Sequence, residues 1–385
     1  MYSIKLISFF FIFAYVCDIS YSLEGQNTPT QVQVKALNDV REKEDEFESV
    51  GGHNEIIRLP NGLPGIPDGS LGKAMSEIEA KAIKAIQKDR ELDGLTPAFY
   101  GEVNLDDPSQ PGKKITYMAM QDLLKDFNKE EVHILDIKFA WRTFLESIGT
   151  GDYKTRQEVL KNVGLPSNAD LSKIFQVAGM AEKAKDDKFS KWDRHNLRDH
   201  LTSSRTLGFR ICGTKAPGHP AMTKKDYVLL KNEEEVYRKL DTFLHHCIGQ
   251  ESVKDKLIER LEYMLPKIQR SSFFKTHEVI GSSILILFDN TNVGAWLIDF
   301  GKTVELEGVK IDHEKPWVPG NHEDGYIAGF KNLIKLLKDG YVHNVPPNLG
   351  NVKENGAEMK KPKFNFCTFI KKLHLHGKTS GKVTR

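Results

Sequence analysis

Residues 283–300, with the sequence SILILFDNTNVGAWLIDF, contain the strongest fold signal in the chain. Two apolar runs, Ser283–Phe288 and Ala295–Phe300, flank the polar turn DNTNVG, and this pattern predicts a β-hairpin. The second run ends in the tripeptide DFG, which begins at Asp299. A carboxylate at the end of a buried strand is suited to holding Mg²⁺ against nucleotide phosphates. Because the tripeptide also occurs by chance or at an ordinary turn, it does not by itself establish this chemistry.

The composition limits which classes of protein are possible. The chain has 385 residues, and its 55 Lys+Arg against 53 Asp+Glu leave a net charge of +2. This near balance gives no electrostatic reason to expect nucleic acid as a partner. The apolar content is close to that of globular proteins, which excludes a disordered chain. The length suits one large two-lobed domain or two smaller ones.

The N-terminus resembles a targeting segment. Residues 6–16 (LISFFFIFAYV) form an apolar run that follows Lys5 and precedes the small residues Ser20 and Ser22. We interpret residues 1–22 as a signal peptide, with a signal anchor or a mispredicted start of the chain as the alternatives. The run is too short for a stable membrane span, and no other stretch could cross a bilayer. The cysteines after residue 22 show no CxxC motif and are typical of a cytosolic protein, which conflicts with secretion.

Several further segments can be placed from their patterns. Residues 23–50 are polar and are predicted to be a flexible leader, and residues 346–385 form a basic tail that is solvated or in weak contact with an anionic surface. Residues 149–203 are predicted to be a helical insertion on the surface. Ser76 and Glu79 predict a capping box that opens a helix. Its inward face would carry Met75, Ile78, Ala82 and Ala85.

Other apolar patterns predict buried strands and amphipathic helices. Strands are expected at Tyr117–Leu124 and Val132–Phe139. Amphipathic helices are expected around residues 236–244, 253–265 and 323–338.

The run Val132–Phe139 carries two charged residues on one face. Period-two alternation places Asp136 and Lys138 together, while the apolar residues between them face the other way. The pair is either an ordinary ion pair on a half-exposed strand or a catalytic pair. In the second case the carboxylate orients or deprotonates a hydroxyl and the ammonium neutralises charge on a transferring group. An ordinary protein kinase is not indicated, since the chain has neither a GxGxxGxV loop nor an HRDLxxxN motif.

Five blocks, taken in order, resemble the inositol polyphosphate kinases, and most closely the inositol 1,4,5-trisphosphate 3-kinase branch. They are LDIKFAWRTFLE (135–146), SSRTLGFRICG (203–213), HEVIGSSILILFDN (277–290), AWLIDFGKT (295–303) and DHEKPWVPGNHEDGYIAGFKNLI (312–334). The resemblance covers about residues 51–340. It implies an α+β fold of two lobes with a protein-kinase-like ATP cleft and a helical insertion that binds the inositol phosphate.

The resemblance also implies boundaries and an activity. The ATP-binding lobe would span residues 51–125, and the catalytic lobe residues 126–345 with the insertion at about 149–203. The implied activity is transfer of the ATP γ-phosphate, with Mg²⁺, to a hydroxyl of a soluble inositol polyphosphate, with the 1,4,5-trisphosphate as the favoured substrate. The alternatives are a broader inositol phosphate multikinase and a non-catalytic, secreted inositol-phosphate-binding protein. ATP and inositol phosphates are cytosolic, which indicates a cytoplasmic protein, whereas residues 1–22 indicate secretion. The sequence does not support calmodulin as a partner.

Individual roles follow from the same resemblance. Asp136 would lie near the accepting hydroxyl, and Lys138 would bridge the γ-phosphate and the substrate. ATP would be bound by Lys73, Gln121, Asp122, Leu123 and Asp299, the substrate by Lys138, Arg210 and Lys302, and the metal by Asp299 and Ser283.

The sequence departs from the family pattern at three places. Val132 and Ala140 replace a proline and a glycine around the Asp-x-Lys pair, which concerns the backbone and not the charges. A family lysine that contacts a substrate phosphate falls on Val228, so this contact is missing unless another lysine substitutes. The candidate lysines that could substitute at Val228 are Lys224, Lys225 and Lys231. The third departure is the stretch between Trp192 and Ser203, which carries extra residues.

Overall fold

The computed structural model of the chain describes residues 56–107, 109–148, 152–165, 167–245 and 251–341. The predicted signal peptide, leader and basic tail lie outside these residues. No helix in the described part is long and apolar enough to cross a membrane.

The first part of the fold is a four-stranded antiparallel sheet. Its strands are β1 (Ile56–Arg58), β2 (Leu71–Ala74), β3 (Phe99–Asp106) and β4 (Lys114–Met120), in the spatial order β1, β2, β4, β3. Strand β4 ends before the predicted Leu124, because Asp122 turns the chain by accepting a hydrogen bond from the Leu124 amide at 3.0 Å. We refer to this sheet as the N-terminal sheet.

Helix α1 (Glu77–Ile86) follows β2 and differs from its prediction in two respects. Ser76 precedes the helix, but its side chain makes no capping hydrogen bond. Glu79 Oε1 instead pairs with Lys73 Nζ at 2.7 Å. The side chain of Ile78 is 47% exposed. The capping box was therefore wrong, because the ion pair turns Glu79 toward the interior. The predicted inward face is confirmed at Ala82, which is buried, and at Ala85, which packs against the core, and was wrong at Ile78. The buried residues of the helix are Glu79, Ala80, Ala82, Ile83 and Ile86.

A second sheet, the central sheet, carries most of the predicted site. Its strands are β5 (His133–Phe139), β8 (Phe209–Lys215), β10 (Ser283–Phe288) and β11 (Val293–Ile298), in the order β11, β10, β5, β8. The predicted hairpin is confirmed as the antiparallel pair β10 and β11. In the register of the sheet, Lys138 stands opposite Ser283 on one side and Arg210 on the other. Three predicted site residues are thereby neighbours on three adjacent strands.

The segment between β5 and β8 contains short helices around a small core of its own. The elements in this region are β6 (Lys154–Thr155), α2 (Arg156–Val163), α3 (Leu171–Val177), β7 (Lys188–Phe189), α4 (Lys191–Leu201) and α5 (Ser204–Leu207), and α6 (Lys224–Tyr227) follows β8. Apolar side chains such as Phe175, Phe189 and Leu197 fill this core, which Val228 also joins.

The last helices cover the central sheet. They are α7 (Glu233–His245), α8 (Glu251–Arg270), α9 (Ser272–Thr276) and α10 (Tyr326–Asp339), while β9 (His277–Val279) pairs with β12 (Thr303–Glu305). Helix α10 ends at Gly340 as predicted but begins later than residue 323, because Asp324 is fully buried and accepts hydrogen bonds from the Val279 and Tyr326 amides. The architecture is α+β.

Candidate active site

Strand β5 presents Asp136 and Lys138 on one face, with Leu135, Ile137 and Phe139 buried on the other, as period-two alternation predicts. Lys138 Nζ donates a hydrogen bond to the Gly281 carbonyl at 2.5 Å. Asp136 Oδ1 and Ser283 Oγ are both buried, and neither makes a well-formed hydrogen bond among the described residues, although the Ser283 hydroxyl is close enough to Asp136 to help lower its pKa. Desolvation raises the pKa of Asp136 to about 6, although the nearby Lys138 charge lowers it. Asp136 can therefore accept or release a proton near neutral pH.

Asp299 connects the central sheet to the N-terminal sheet. It follows β11 with a φ of 65°, a left-handed conformation that turns the chain sharply at the end of the strand. Its carboxylate lies 3.0 Å from Lys73 Nζ. Burial lowers the pKa of Lys73, but the charges of Asp299 and Glu79 outweigh it and raise that pKa to about 12. Burial likewise opposes ionisation of Asp299, yet Lys73 and Lys138 hold the pKa of Asp299 below its usual value, so both groups stay charged.

The oxygens of Asp299 and Ser283, with Asp136 nearby, are candidate ligands for a divalent metal ion. Two of them belong to buried groups that make no well-formed hydrogen bond within the described ranges, and such orphaned oxygens are costly unless a ligand completes them. The charge of Asp299 raises the pKa of Asp136, so the two carboxylates are close enough to interact. Hard cations such as Mg²⁺ and Mn²⁺ prefer carboxylate and hydroxyl oxygens of this kind.

Positive charge is concentrated beside this pair of carboxylates. Arg210 on β8 is buried, and its Nη1 donates to Asp199 Oδ1 at 3.1 Å. Lys302 is exposed, but desolvation at this junction and the charges of Lys138 and Arg198 lower its pKa to about 8. Grouped ammonium and guanidinium groups suit a ligand that carries several phosphates.

A sequence profile described as "Inositol polyphosphate kinase" matches residues 117–338. The chain belongs to the inositol polyphosphate kinase family. It is 35% identical over 326 residues to the human protein "Inositol-trisphosphate 3-kinase A", covering 83% of this chain and 64% of the relative. It is 33% identical over 331 residues to the "Inositol-trisphosphate 3-kinase homolog" of Caenorhabditis elegans, covering 84% of this chain and 60% of the relative. The chain thus spans less than two thirds of the length of these relatives.

A solved structure is also similar. The chain matches the inositol phosphate multikinase Ipk2 of S. cerevisiae, solved in complex with ADP and Mn²⁺, with a TM-score of 0.47 and 17% identity. The match covers 70% of this chain and 98% of that chain.

In this member of the inositol polyphosphate kinase family, the segment Gln121–Leu123 connects β4 to the central sheet. Asp122 Oδ2 forms an ion pair with Arg58 at 2.8 Å. Gln121 exchanges two hydrogen bonds with Ala98, one through its amide at 2.9 Å and one through its Oε1 at 3.2 Å. Leu123 is buried beside Leu287. Gln121 Oε1 and the Asp122 carboxylate therefore hold the segment in place.

Sequence reasoning missed four residues of this site: Glu79, His195, Arg198 and Asp199. Glu79 fixes Lys73, as described above. Asp199 is fully buried, and its Oδ1 accepts hydrogen bonds from Thr143 Oγ1 at 2.6 Å as well as from Arg210. Because His195, Arg198 and Asp199 are three and four residues apart on α4, their spacing places them on one helix face, and this is the signal that could have found them.

The structure also locates the lysines that were candidates to replace the family lysine at Val228. Val228 is buried and lines a small cavity, on whose wall Lys224 also lies. Lys225 packs against Gly164. Of the three candidates, Lys224 is the one that shares the cavity with Val228.

A second cluster of possible metal ligands lies near the start of α10. Glu146, Glu278 and His322 have ligand atoms within 4.8 Å of one another. Arg142 is fully buried among them, at 3.1 Å from Glu278 and 3.9 Å from Glu146. Trp317 Nε1 donates to Glu146 at 2.7 Å. We interpret this cluster as an internal ion-pair network, since a guanidinium already occupies the place of a cation.

Proposed function

We propose that this protein transfers the γ-phosphate of ATP to a hydroxyl of a soluble inositol polyphosphate, and that its substrate is the 3-hydroxyl of inositol 1,4,5-trisphosphate. The observation that carries the proposal is the meeting of Lys73, Asp136, Lys138 and Asp299 at the junction of the two sheets. In phosphoryl transfer the protein mainly positions the reactants and neutralises charge, and the two lysines and two aspartates are the groups that this requires. The relatives named as trisphosphate 3-kinases support this choice of substrate.

The nucleotide would lie between the N-terminal and central sheets. Lys73 would bind its phosphates, oriented by Glu79, and the adenine would contact Leu123 and the backbone of residues 121–123. Asp299 would hold Mg²⁺ together with the Ser283 hydroxyl, which leaves the Asp136 carboxylate for the accepting hydroxyl. When bound, the metal would neutralise charge on the β- and γ-phosphates.

The transfer step needs a proton acceptor and a cation. Because its pKa is about 6, Asp136 is mostly ionised at pH 7 and can take the proton of the attacking hydroxyl. As the new bond from oxygen to phosphorus forms, the bond to the β-phosphate oxygen breaks and ADP leaves. Lys138, which the Gly281 carbonyl orients, neutralises charge on the transferring group. The other substrate phosphates would be bound by Arg210 and Lys302.

A broader inositol phosphate multikinase is the second candidate. It is favoured by Val228, whose buried apolar side chain supplies no charge where the family pattern places a lysine. A non-catalytic binding protein is disfavoured because Lys73, Asp136, Lys138 and Asp299 are all present. Since ATP and inositol trisphosphate are cytosolic solutes, we place the protein in the cytoplasm, with secretion directed by residues 1–22 as the alternative.

Product analysis tests the proposal. The purified protein is incubated with ATP, Mg²⁺ and a panel of inositol bis-, tris-, tetrakis- and hexakisphosphates, and the products are separated by chromatography. Asp299→Asn is the inactive variant, and Asp93→Asn, an exposed aspartate, is its matched control. We expect conversion of the 1,4,5-trisphosphate by the wild type and Asp93→Asn but not by Asp299→Asn. Turnover of several substrates would identify a multikinase, and no turnover by folded wild type would contradict a kinase.

A further inference from the structure

His313 lies buried in the segment that connects strand β12 to helix α10. Only 1% of the residue is exposed, and its backbone has a φ of 60°, in the left-handed region. The Nδ1 atom of its ring lies 2.7 Å from Asp324 Oδ1, and its Nε2 is within hydrogen-bond distance of the carbonyl oxygen of Phe274 on α9. Both ring nitrogens therefore face oxygen acceptors in the protein interior.

This geometry favours a proton on both nitrogens of His313. A neutral imidazole carries one N–H group and one lone pair, so one of the two oxygens would face a lone pair. Such a contact would leave two buried polar atoms without a hydrogen bond, which is costly. Burial opposes protonation, but the charge of Asp324 and the hydrogen bonds of the ring outweigh burial and raise the pKa of His313.

The ionisable groups around His313 leave Asp324 as its counter-ion. On the same segment, Glu323 accepts a hydrogen bond from the His313 backbone amide at 2.9 Å, and burial raises the pKa of Glu323. Helix α10 contributes Tyr326, whose pKa is raised by burial, so that its phenol is neutral. The other charged side chains of the adjoining elements have partners of their own: Glu278 of β9 pairs with Arg142, Lys275 of α9 donates to the Arg270 carbonyl, Asp312 pairs with Lys315, and Lys331 of α10 pairs with Glu314.

Asp324 connects this buried ion pair to the backbone on both sides of the Lys138 site. Its Oδ2 accepts a hydrogen bond from the Val279 amide at 2.8 Å, two residues before Gly281. Its own carbonyl accepts a hydrogen bond from the Trp141 amide at 2.7 Å, three residues after Lys138. Gly281 in turn offers the carbonyl that binds Lys138 Nζ. Asp324 thus fixes the carbonyl that orients Lys138 relative to the strand that carries Lys138.

We propose that His313 is protonated in the working enzyme and, through Asp324, positions Lys138 for transfer of the γ-phosphate. The inference rests on the proposed kinase function and adds to it a positioning residue that touches neither substrate. Because Lys138 would neutralise charge on the transferring group, a small displacement of the Gly281 carbonyl should slow the transfer more than it weakens binding. Loss of the His313 proton should have the same effect, since the neutral ring can donate to only one of its two acceptors.

The protonation state of His313 is measured first, on the full chain without substrates. Nitrogen-15 NMR of histidine-labelled protein distinguishes a ring with two N–H groups from a neutral tautomer. The resonances of His313 are assigned by their loss in His313→Gln, or by their shift in Asp324→Asn where the first variant does not fold. We expect both ring nitrogens to carry a proton at pH 7. A neutral ring at pH 7 would overturn the inference.

The second measurement is the rate of phosphate transfer in a single turnover as a function of pH, with the inositol phosphate that the wild type converts. His313→Gln is compared with His219→Gln, the same change at an exposed histidine. At pH 7, and well below the Tm of each protein, we expect His313→Gln to transfer phosphate about 10- to 100-fold more slowly. The Kd values for a non-hydrolysable ATP analogue and for the inositol phosphate should change less than about twofold, and His219→Gln should match the wild type.

The pH profile separates His313 from the other groups that titrate near the site. The wild-type rate should fall as His313 loses its proton in the NMR titration, and this step should be absent from His313→Gln. Lys302, whose pKa desolvation lowers to about 8, would produce a step in both proteins. A fall in rate at high pH that is identical in the two proteins would therefore overturn the inference.

One further result would overturn the inference while leaving the kinase function intact. It is a His313→Gln protein that unfolds at a lower temperature but transfers phosphate at the wild-type rate, which would show that the buried ion pair supports only the fold. Absence of turnover by the wild type would overturn the kinase function, and with it the positioning role, whatever the NMR spectrum shows.

Discussion

Asp136→Asn should stabilise the protein while lowering its rate of phosphate transfer about 10²- to 10⁴-fold. The carboxylate is held where desolvation raises its pKa from 3.8 to about 6. A difference of about 2 pH units, at about 1.4 kcal/mol each, means that ionised Asp136 costs the folded state about 3 kcal/mol at pH 7. The asparagine keeps the shape and removes the charge, so the variant should recover most of this cost. For a protein of this size, that corresponds to a rise in Tm of about 4 °C.

The stability difference between Asp136→Asn and wild type should depend on pH. Between the unfolded and folded pKa values the folded state binds more protons, so wild-type stability falls as pH rises from about 4 to about 6. The stability difference between Asp136→Asn and wild type should therefore be fully present at pH 7 and nearly absent at pH 4. Thermal unfolding without Mg²⁺ or nucleotide measures it, with the exposed Asp93→Asn as control. An Asp136→Asn protein that is less stable at pH 7, or a stability difference that does not change with pH, would show that ionised Asp136 does not destabilise the folded state.

Three further results are expected. Glu79→Gln should raise KM for ATP about tenfold with a small effect on KM for the inositol phosphate, because Lys73 loses a charged partner. His313→Gln should lower Tm most at pH 6 and least at pH 9. Burial opposes protonation of His313, but the charge of Asp324 and the hydrogen bonds of the ring outweigh burial and raise the pKa of His313. The protonated ring therefore stabilises the fold at low pH, and this stabilisation is lost as pH rises through the raised pKa. Gly329→Ala should lower Tm by several degrees, because its Cβ would lie 2.0 Å from the carbonyl oxygen of Gly208.

The parts of the site that depend on local pattern could be predicted from the sequence. The alternation in β5 places Asp136 and Lys138 on one face whatever surrounds them. The two apolar runs of the β10 and β11 hairpin are close in sequence and pair with each other, so their pairing does not depend on distant residues. The end of the second strand was less predictable, because Asp299 leaves it in a left-handed conformation that brings its carboxylate to Lys73.

The parts that depend on distant partners could not be predicted. Glu79 has the spacing of a capping residue, and nothing near it in sequence shows that Lys73 competes for its carboxylate. Asp199 looks like an ordinary polar residue of a surface helix until Thr143 and Arg210 are brought to it by the strands on either side of the insertion. Such buried polar contacts are fixed by tertiary packing, which periodicity does not report.

The most direct test of the central claim is the transfer of labelled phosphate in a single turnover. The protein is mixed with ATP labelled at the γ-phosphate, Mg²⁺ and inositol 1,4,5-trisphosphate, and the label in the inositol product is measured for wild type and Asp136→Asn. We expect a labelled tetrakisphosphate from the wild type and a rate lowered about 10²- to 10⁴-fold in the variant, the usual contribution of a general base. Transfer by Asp136→Asn at nearly the wild-type rate would contradict the account.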